Sequence, residues 1–363
     1  MDSSQVRISE TVKGIYSTFH PCLSLSIDQF TYQTWQAHGI RSQLSFVNDH
    51  VLKIDSTVLY SAQSQLMLNG TFSIPDSTQS SRINIAIEAR GDTEDFNKTF
   101  ANDTFLFQEG DYHFQGKLNG KIQDWRDLLY ATRGHLQVQK TGIFFVPQAL
   151  NFHVALIDLD VAQHDITLNT LQLTLPSGGS LALNGKVDNF MDILAEKESP
   201  LVQSFIGLQA SYLDYADFSG LFSSLQKSET STVNTGSNQI KKSLFNLYHK
   251  FHPELDIQID SFQHKDVLVT DLSSKVAFEG SSKLQFADMT FEYRDSPVQL
   301  NASLRLNQDT VTPVDLSLTT AYFDLGTLVE TYDYFGLAAL LSADKIAGKV
   351  SLNAHLKGQL HDA

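Results

Sequence analysis

The residues of this sequence best suited to chemistry are two histidines in a repeated word, a pair of alternating aspartates, one cysteine and two tryptophans. His20 lies in Phe19-His20-Pro21, and the same tripeptide returns as Phe251-His252-Pro253. An imidazole can serve as a general base or a metal ligand. A zinc site needs further ligands at short spacing, and His249 and His252, the closest pair, have no neighbouring acid at ligand spacing. Asp158 and Asp160 resemble an acid–base dyad, but such work needs a pocket that shifts one of the two pKa values. They alternate with Ile157, Leu159 and Val161, as the wet face of a strand would. Trp35 and Trp125 could stack on sugar rings, although an isolated tryptophan is more commonly core or rim. Cys22 stands alone and forms no internal disulfide. The chain has no glycine-rich phosphate loop, Gly-X-Ser-X-Gly elbow, His-Glu-X-X-His or cysteine pair. No catalytic, cofactor-binding or metal-ligating residue is nominated, no cofactor is expected, and the expectation is a protein that is not an enzyme.

Composition narrows the partners. A net charge of −15 over 363 residues opposes binding to nucleic acid and electrostatic docking on anionic lipid, both of which need basic surface. No run approaches the ~18 apolar residues of a membrane helix; the nearest is Phe335-Gly336-Leu337-Ala338-Ala339-Leu340-Leu341. The opening Met1-Asp2-Ser3-Ser4 shows no apolar signal region. Asn-X-Ser/Thr sequons at Asn69, Asn97, Asn102 and Asn301 matter only where the source glycosylates.

The Phe-His-Pro word is the visible part of an internal repeat, the first thing to look for in a long chain. At an offset of 232, Leu23, Leu25 and Ile27 meet Leu255, Ile257 and Ile259. Leu44 and Phe46 meet Val276 and Phe278, and Leu52 and Ile54 meet Leu284 and Phe286. At 238, Gly110, Tyr112, Phe114, Leu118 and Gly120 meet Gly348, Val350, Leu352, Leu356 and Gly358. Three segments follow: a first β-rich unit over 6–222, a Ser/Thr/Asn-rich linker over 223–239, and a second unit over 240–363 that stops mid-unit, as an excised piece would.

Each unit opens with apolar residues at helical spacing, Ile8-Val12-Ile15-Phe19 and Ile240-Leu244-Leu247-Phe251, stopped by Pro21 and Pro253. The period then changes to two, and strand follows strand with short polar punctuation, a meander and not a βαβ series. Leu118 to Leu129 echoes Leu183 to Leu194: each passes through Asn-Gly-Lys and runs into a turn of helix begun at Asp or Asn, residues that cap free N–H groups. Asn119-Gly120 reads as a hairpin turn or an interior bulge, and the phase slip from Leu168 to Leu171 predicts a bulge or tight turn near Asn169.

The expected fold is mainly β: a long, curled antiparallel sheet, a groove or half-barrel, internally duplicated, with a few short helices. So many strands with one apolar face would curl. The regular apolar positions that would line a groove for acyl chains are Leu23, Leu25 and Ile27, their partners Leu255, Ile257 and Ile259, and Leu300, Ala302, Leu304 and Leu306. Two other readings stay open: a structural or adhesive tandem of β-sandwiches whose apolar face is ordinary core, and a carbohydrate-binding β protein.

The strand meander, Asn184-Gly185-Lys186-Val187-Asp188-Asn189-Phe190-Met191-Asp192-Ile193-Leu194, and Lys345 through Gly358 resemble the C-terminal region of AsmA-like proteins, as does Leu316-Ser317-Leu318 with Tyr322-Phe323-Asp324-Leu325-Gly326-Thr327-Leu328. The similarity spans the chain but is carried by apolar and small residues, with no motif to transfer residue by residue. It implies a segment of the bacterial cell envelope on the periplasmic side, anchored to the inner membrane in the full-length protein through regions outside this chain. It also implies a role in envelope biogenesis, with phospholipid or another acyl lipid as partner and envelope protein partners unspecified. This chain departs from the family in lacking the membrane helix.

Overall fold

The computed structural model describes residue 14 and residues 22–32, 35–48, 50–73, 80–99, 105–124, 126–146, 150–175, 177–197, 202–217, 252–279, 283–305, 311–324 and 348–361. The helix expected at 8–19 apart from residue 14, the helix expected at 240–251, the linker 223–239, His20, His249, Trp125 and Leu306 lie outside the described residues, as does the side chain of Trp35. The fold is mainly β, and among the described residues nineteen strands belong to one mixed sheet not closed into a barrel. Among the described residues no helix is long and apolar enough to cross a membrane.

Two compact units divide the chain, Met1–Leu173 with Asn184–Val202, and Thr174–Leu183 with Gln203–Ala363. In the first, β1 (Cys22–Tyr32), β2 (Trp35–Asn48), β3 (Val51–Ser61), β4 (Ser64–Ser73) and β5 (Ser81–Asp92) pair antiparallel in order. Helix α1 (Asp95–Thr99) and β6 (Phe105–Gln108) follow, and β5 pairs with β7 (Asp111–Ile122). Helix α2 (Arg126–Ala131) leads into β8 (Thr132–Phe145), which takes both β6 and β7 on one edge and β9 (Leu150–Ala162) on the other. Next come β10 (Asp165–Thr174), paired with β9, then β11 (Ser180–Asp188) and helix α3 (Phe190–Leu194). The second unit contains β12 (Gln203–Ala210), β13 (Leu213–Asp214), β14 (Pro253–His264), β15 (Val267–Glu279), β16 (Lys283–Tyr293), β17 (Ser296–Arg305), β18 (Val311–Asp324) and β19 (Lys349–His361).

The duplication extends to strand register. Leu23 faces Leu44 in β1–β2, and Leu255 faces Val276 in β14–β15, both residue numbers rising by 232. Ile54 faces Gly70, and Phe286 faces Ala302, at the same offset. The irregularities repeat as well: the shift from Ile54 to Thr57 in β3–β4 returns between Phe286 and Met289 in β16–β17. These are β-bulges, which set one extra residue against the partner strand and bend the strand that carries them.

Three expectations need correction, and a fourth is narrowed. The sheet is not antiparallel throughout, because β12 and β13 run parallel to β14. Parallel neighbours need a long crossover, and residues 215–252, which contain the Ser/Thr-rich stretch, supply its length. Asn119-Gly120 is neither hairpin nor bulge: Asn84 faces Asn119 and Ile83 faces Gly120 in unbroken register. Glycine suits the site because a Cβ at 120 would stand 3.1 Å from the Cβ of Ala131 in α2. Of the bulge or tight turn expected near Asn169, the turn is absent, since β10 runs through that residue as one strand. Helix α3 has no side-chain cap; Asn189 sits at φ 57 and donates its N–H to Asp165 at 3.0 Å.

One bulge pairs a glycine in the first unit with an aspartate in the second. Gly39 has φ +58 and Asp271 has φ +52, 232 positions on. L residues pay about 1–2 kcal/mol for the left-handed region, Asp less than most. Asp271→Gly should therefore raise stability by a few tenths to about 1 kcal/mol, whereas Gly39→Val should lower it by about 1–2 kcal/mol or more. Urea unfolding curves of the two variants measure both.

Candidate functional site

The sheet carries chemistry of opposite kinds on its two faces, shown by following residues across strands. In the second unit Ile206 faces Leu255, then Val276, Phe286, Ala302, Leu316 and Leu356, seven strands with an apolar side chain at every step. Nearby, Gln209 faces Gln258, then Ser273, Thr290, Gln299, Thr319 and Asn353, polar at every step. The first unit repeats the contrast: Leu23, Leu44, Ile54, Gly70, Ile85 and Leu118 form one row, and Cys22, Ser45, Lys53, Thr71, Asn84 and Asn119 form another.

Of the nominated lining, Leu23, Leu255 and Ala302 fall on these rows. Val276 and Leu284, 5 % and 6 % exposed, are the centre of a cluster on which Leu255, Ile257, Leu304, Phe278 and Phe286 pack. Ile259 is buried, and Leu300 and Ala302 are half-buried. Leu23 and Leu25 are 51 % and 45 % exposed, and Ile27 is half-buried. The two trios lie in separate compact units. Sequence reasoning did not nominate Ile206, Val276, Leu284, Phe286, Leu316 or Leu356 as lining. Their period-two placement was visible, as were the repeat partners of Val276, Leu284, Phe286 and Leu356; their cross-strand neighbours were not. Most of this face is neither sealed nor bare. Leu255, Phe286 and Leu316 keep partial exposure, and Leu356 is 63 % exposed.

A buried hydroxyl pair distinguishes the two copies. Ser42 faces Thr57, and their hydroxyls lie 2.6 Å apart. At the equivalent place Ser274 is 3 % exposed and its Oγ has no partner, because Met289 stands where the first unit has Thr57. Leaving a buried hydroxyl unpaired costs about 1–3 kcal/mol. Ser42→Ala should thus destabilise by about 1 kcal/mol, and Ser274→Ala should be neutral or stabilising by up to about 1 kcal/mol, read by thermal unfolding.

The titratable groups support structure. Asn169 Nδ2 donates to Asp158 Oδ1 and Asp160 Oδ2, each at 2.7 Å, while Gln137 donates to Asp158 and His135 Nδ1 lies 2.9 Å from Asp160. The Asn169 amide first, then Gln137 for Asp158 and His135 for Asp160, holds both carboxyls below the usual carboxylate range. An acid–base dyad needs its pair driven apart; here both move down. Asp192 accepts hydrogen bonds from Tyr130 Oη at 3.0 Å and Lys197 Nζ at 2.8 Å, joining α3 to α2. Burial raises its carboxyl, but the Lys197 and Tyr130 bonds outweigh that and leave it lowered.

Comparison with protein-family models, curated proteins and solved structures returns no match for this chain.

The stabilisation from Asp158 and Asp160 is complete above their unfolded-state value of about 3.9 and is lost as pH falls through the lower folded values. Asn169→Ala should move the acid-unfolding midpoint to higher pH and leave stability above pH 6 less affected by pH, as followed by circular dichroism.

Proposed function

We propose that this chain is a non-enzymatic segment of an AsmA-like envelope-biogenesis protein that holds or conducts phospholipid acyl chains along an apolar β-groove. The observation that carries the reading is the apolar row from Ile206 to Leu356, crossing seven strands with most of its members still partly exposed. A face built only as core would bury these side chains. A face built for water would not repeat leucine, valine and phenylalanine on strand after strand.

The dimensions suit hydrocarbon. Six inter-strand steps of ~4.8 Å give a stripe of roughly 29 Å, about twice the ~15 Å that one leaflet contributes to a ~30 Å hydrocarbon core. Each methylene removed from water contributes about 0.8 kcal/mol, so eight would contribute roughly 6 kcal/mol before ordering costs. The polar face suits water contact: Asp315 pairs with His355 at 2.6 Å and Lys357 at 3.3 Å. The envelope location and inner-membrane anchorage belong to the same proposal and rest on the sequence resemblance.

Native mass spectrometry of gently purified protein tests the reading, with bound phospholipid expected; a chain that never carries lipid overturns it. Leu356→Asp should keep the folded signal within about 0.5 kcal/mol, as exposed substitutions do, and lower the co-purified lipid. Val276→Asp, which places a charge in the buried cluster, should unfold the second unit. Equal lipid content in wild type and Leu356→Asp would remove this row from the lining.

A further inference from the structure

A hollow recurs at the same place in both copies. In the first unit β2 is bulged between His38 and Arg41, and in the second β15 is bulged between Thr270 and Ser273, 232 positions on. Such a bulge bends its strand. Beside the first lies a hollow of about 610 Å³, bounded by β1 to β4, whose lining includes Ser24, Ser26, Arg41, Gln43, Ser56 and Tyr60. Beside the second lies one of about 390 Å³. Its Asp271, Thr290, Glu292 and Pro297 are the counterparts of Gly39, Val58, Tyr60 and Gln65 in the first.

The two copies differ in charge. The first hollow has one charged side chain in its lining, Arg41. At the equivalent positions Ser24, Gly39, Ser56 and Tyr60 become Asp256, Asp271, Asp288 and Glu292, and Arg41 becomes Ser273. Only Gln43, which becomes Lys275, changes in the other direction. In a chain of net charge −15, the first hollow is therefore free of acid and holds a guanidinium. Among the described residues Arg41 makes no hydrogen bond or ion pair. Ser24, Ser26, Gln43 and Ser56 are exposed around it. Tyr60, 40 % exposed, stacks on His38 at 5.9 Å, and a Cβ at Gly39 would stand 3.3 Å from its ring. Its hydroxyl accepts from Gln65 Nε2 at 3.4 Å, and Arg90 donates twice to Gln65 Oε1, at 3.0 and 2.9 Å.

We propose that this hollow binds a phosphorylated sugar or cyclic polyol. Arg41 takes the phosphate, for which a planar guanidinium with a fork of donors is suited. Ser24, Ser26, Gln43 and Ser56 take hydroxyls, and the Tyr60 ring supplies an apolar face for the C–H side of the ligand ring. The volume lies within the roughly 300–1,000 Å³ of small-molecule sites. Ser24 and Ser26 alternate with Leu23 and Leu25, so the site is on the polar face and does not rest on what the apolar row holds.

Isothermal titration calorimetry of the whole chain tests this with myo-inositol 1-phosphate and glucose 6-phosphate, and with myo-inositol and glucose as their neutral partners. At least one phosphorylated probe should bind with a Kd below about 1 mM, and its neutral partner about tenfold or more weakly. Arg41→Ser and Tyr60→Glu, which install the second unit's residues, should each weaken that binding about tenfold or more while circular dichroism stays unchanged. Flotation with phosphatidylcholine vesicles, with and without phosphatidylinositol, separates the two sources of such a group. Capture by the phosphatidylinositol vesicles alone, lost in Arg41→Ser, assigns a membrane headgroup, and no capture assigns a soluble phosphate ester. Neutral probes that bind as tightly, binding that neither variant weakens, or no binding of either phosphorylated probe overturns the proposal.

Discussion

A strand turns alternate side chains to opposite faces, so a slip of one residue moves its whole apolar set to the other side of the sheet. Everything else in this protein depends on keeping that phase across many strands. β16 shows how it is kept. Its apolar residues run Leu284, Phe286, then Met289, Phe291 and Tyr293, with a change of parity after Phe286. A bulge between Phe286 and Met289, with Asp288 at φ 51, takes up the extra residue. Phe286 therefore stays in the apolar row and Thr290 in the polar one, although both numbers are even. β3 makes the same correction between Ile54 and Thr57.

Duplication turns the two copies into comparisons. Gly39 against Asp271 and Thr57 against Met289 are places where one backbone solution meets different side chains. The left-handed backbone persists with or without glycine, because the surrounding ladder imposes it. The hydroxyl pair of Ser42 and Thr57 does not persist, and Ser274 is left without a partner. Register is thus set by the apolar rows, while individual polar contacts vary around it.

Much of the fold was legible because period two, the repeat offset and the short helical turns are local signals. Strand β7 shows where local signals end. Asn119-Gly120 has the residue types of a hairpin, yet the chain runs straight through, held by β5 on one side and crossed by Ala131. The parallel join of β12 to β14 was equally invisible, since nothing in either strand specifies a neighbour reached through residues 215–252. The phase change in β16 was a signal that would have located the bulge. The lining was partly legible for the same reason: Leu255, Ile257 and Leu304 announce themselves by alternation, but that they converge on Val276 and Leu284 depends on pairing.

Alternation by itself determined that this protein is a β meander with one apolar side, built twice, because side-chain direction in a strand follows from backbone geometry alone. The sequence likewise placed Asp158 and Asp160 on a wet face, where Asn169, Gln137 and His135 meet them. Only the tertiary structure decided which strands adjoin, where a parallel neighbour covers an edge, and how much of each apolar row stays open. Those depend on hydrogen bonds between residues far apart in the chain, and no local period encodes them.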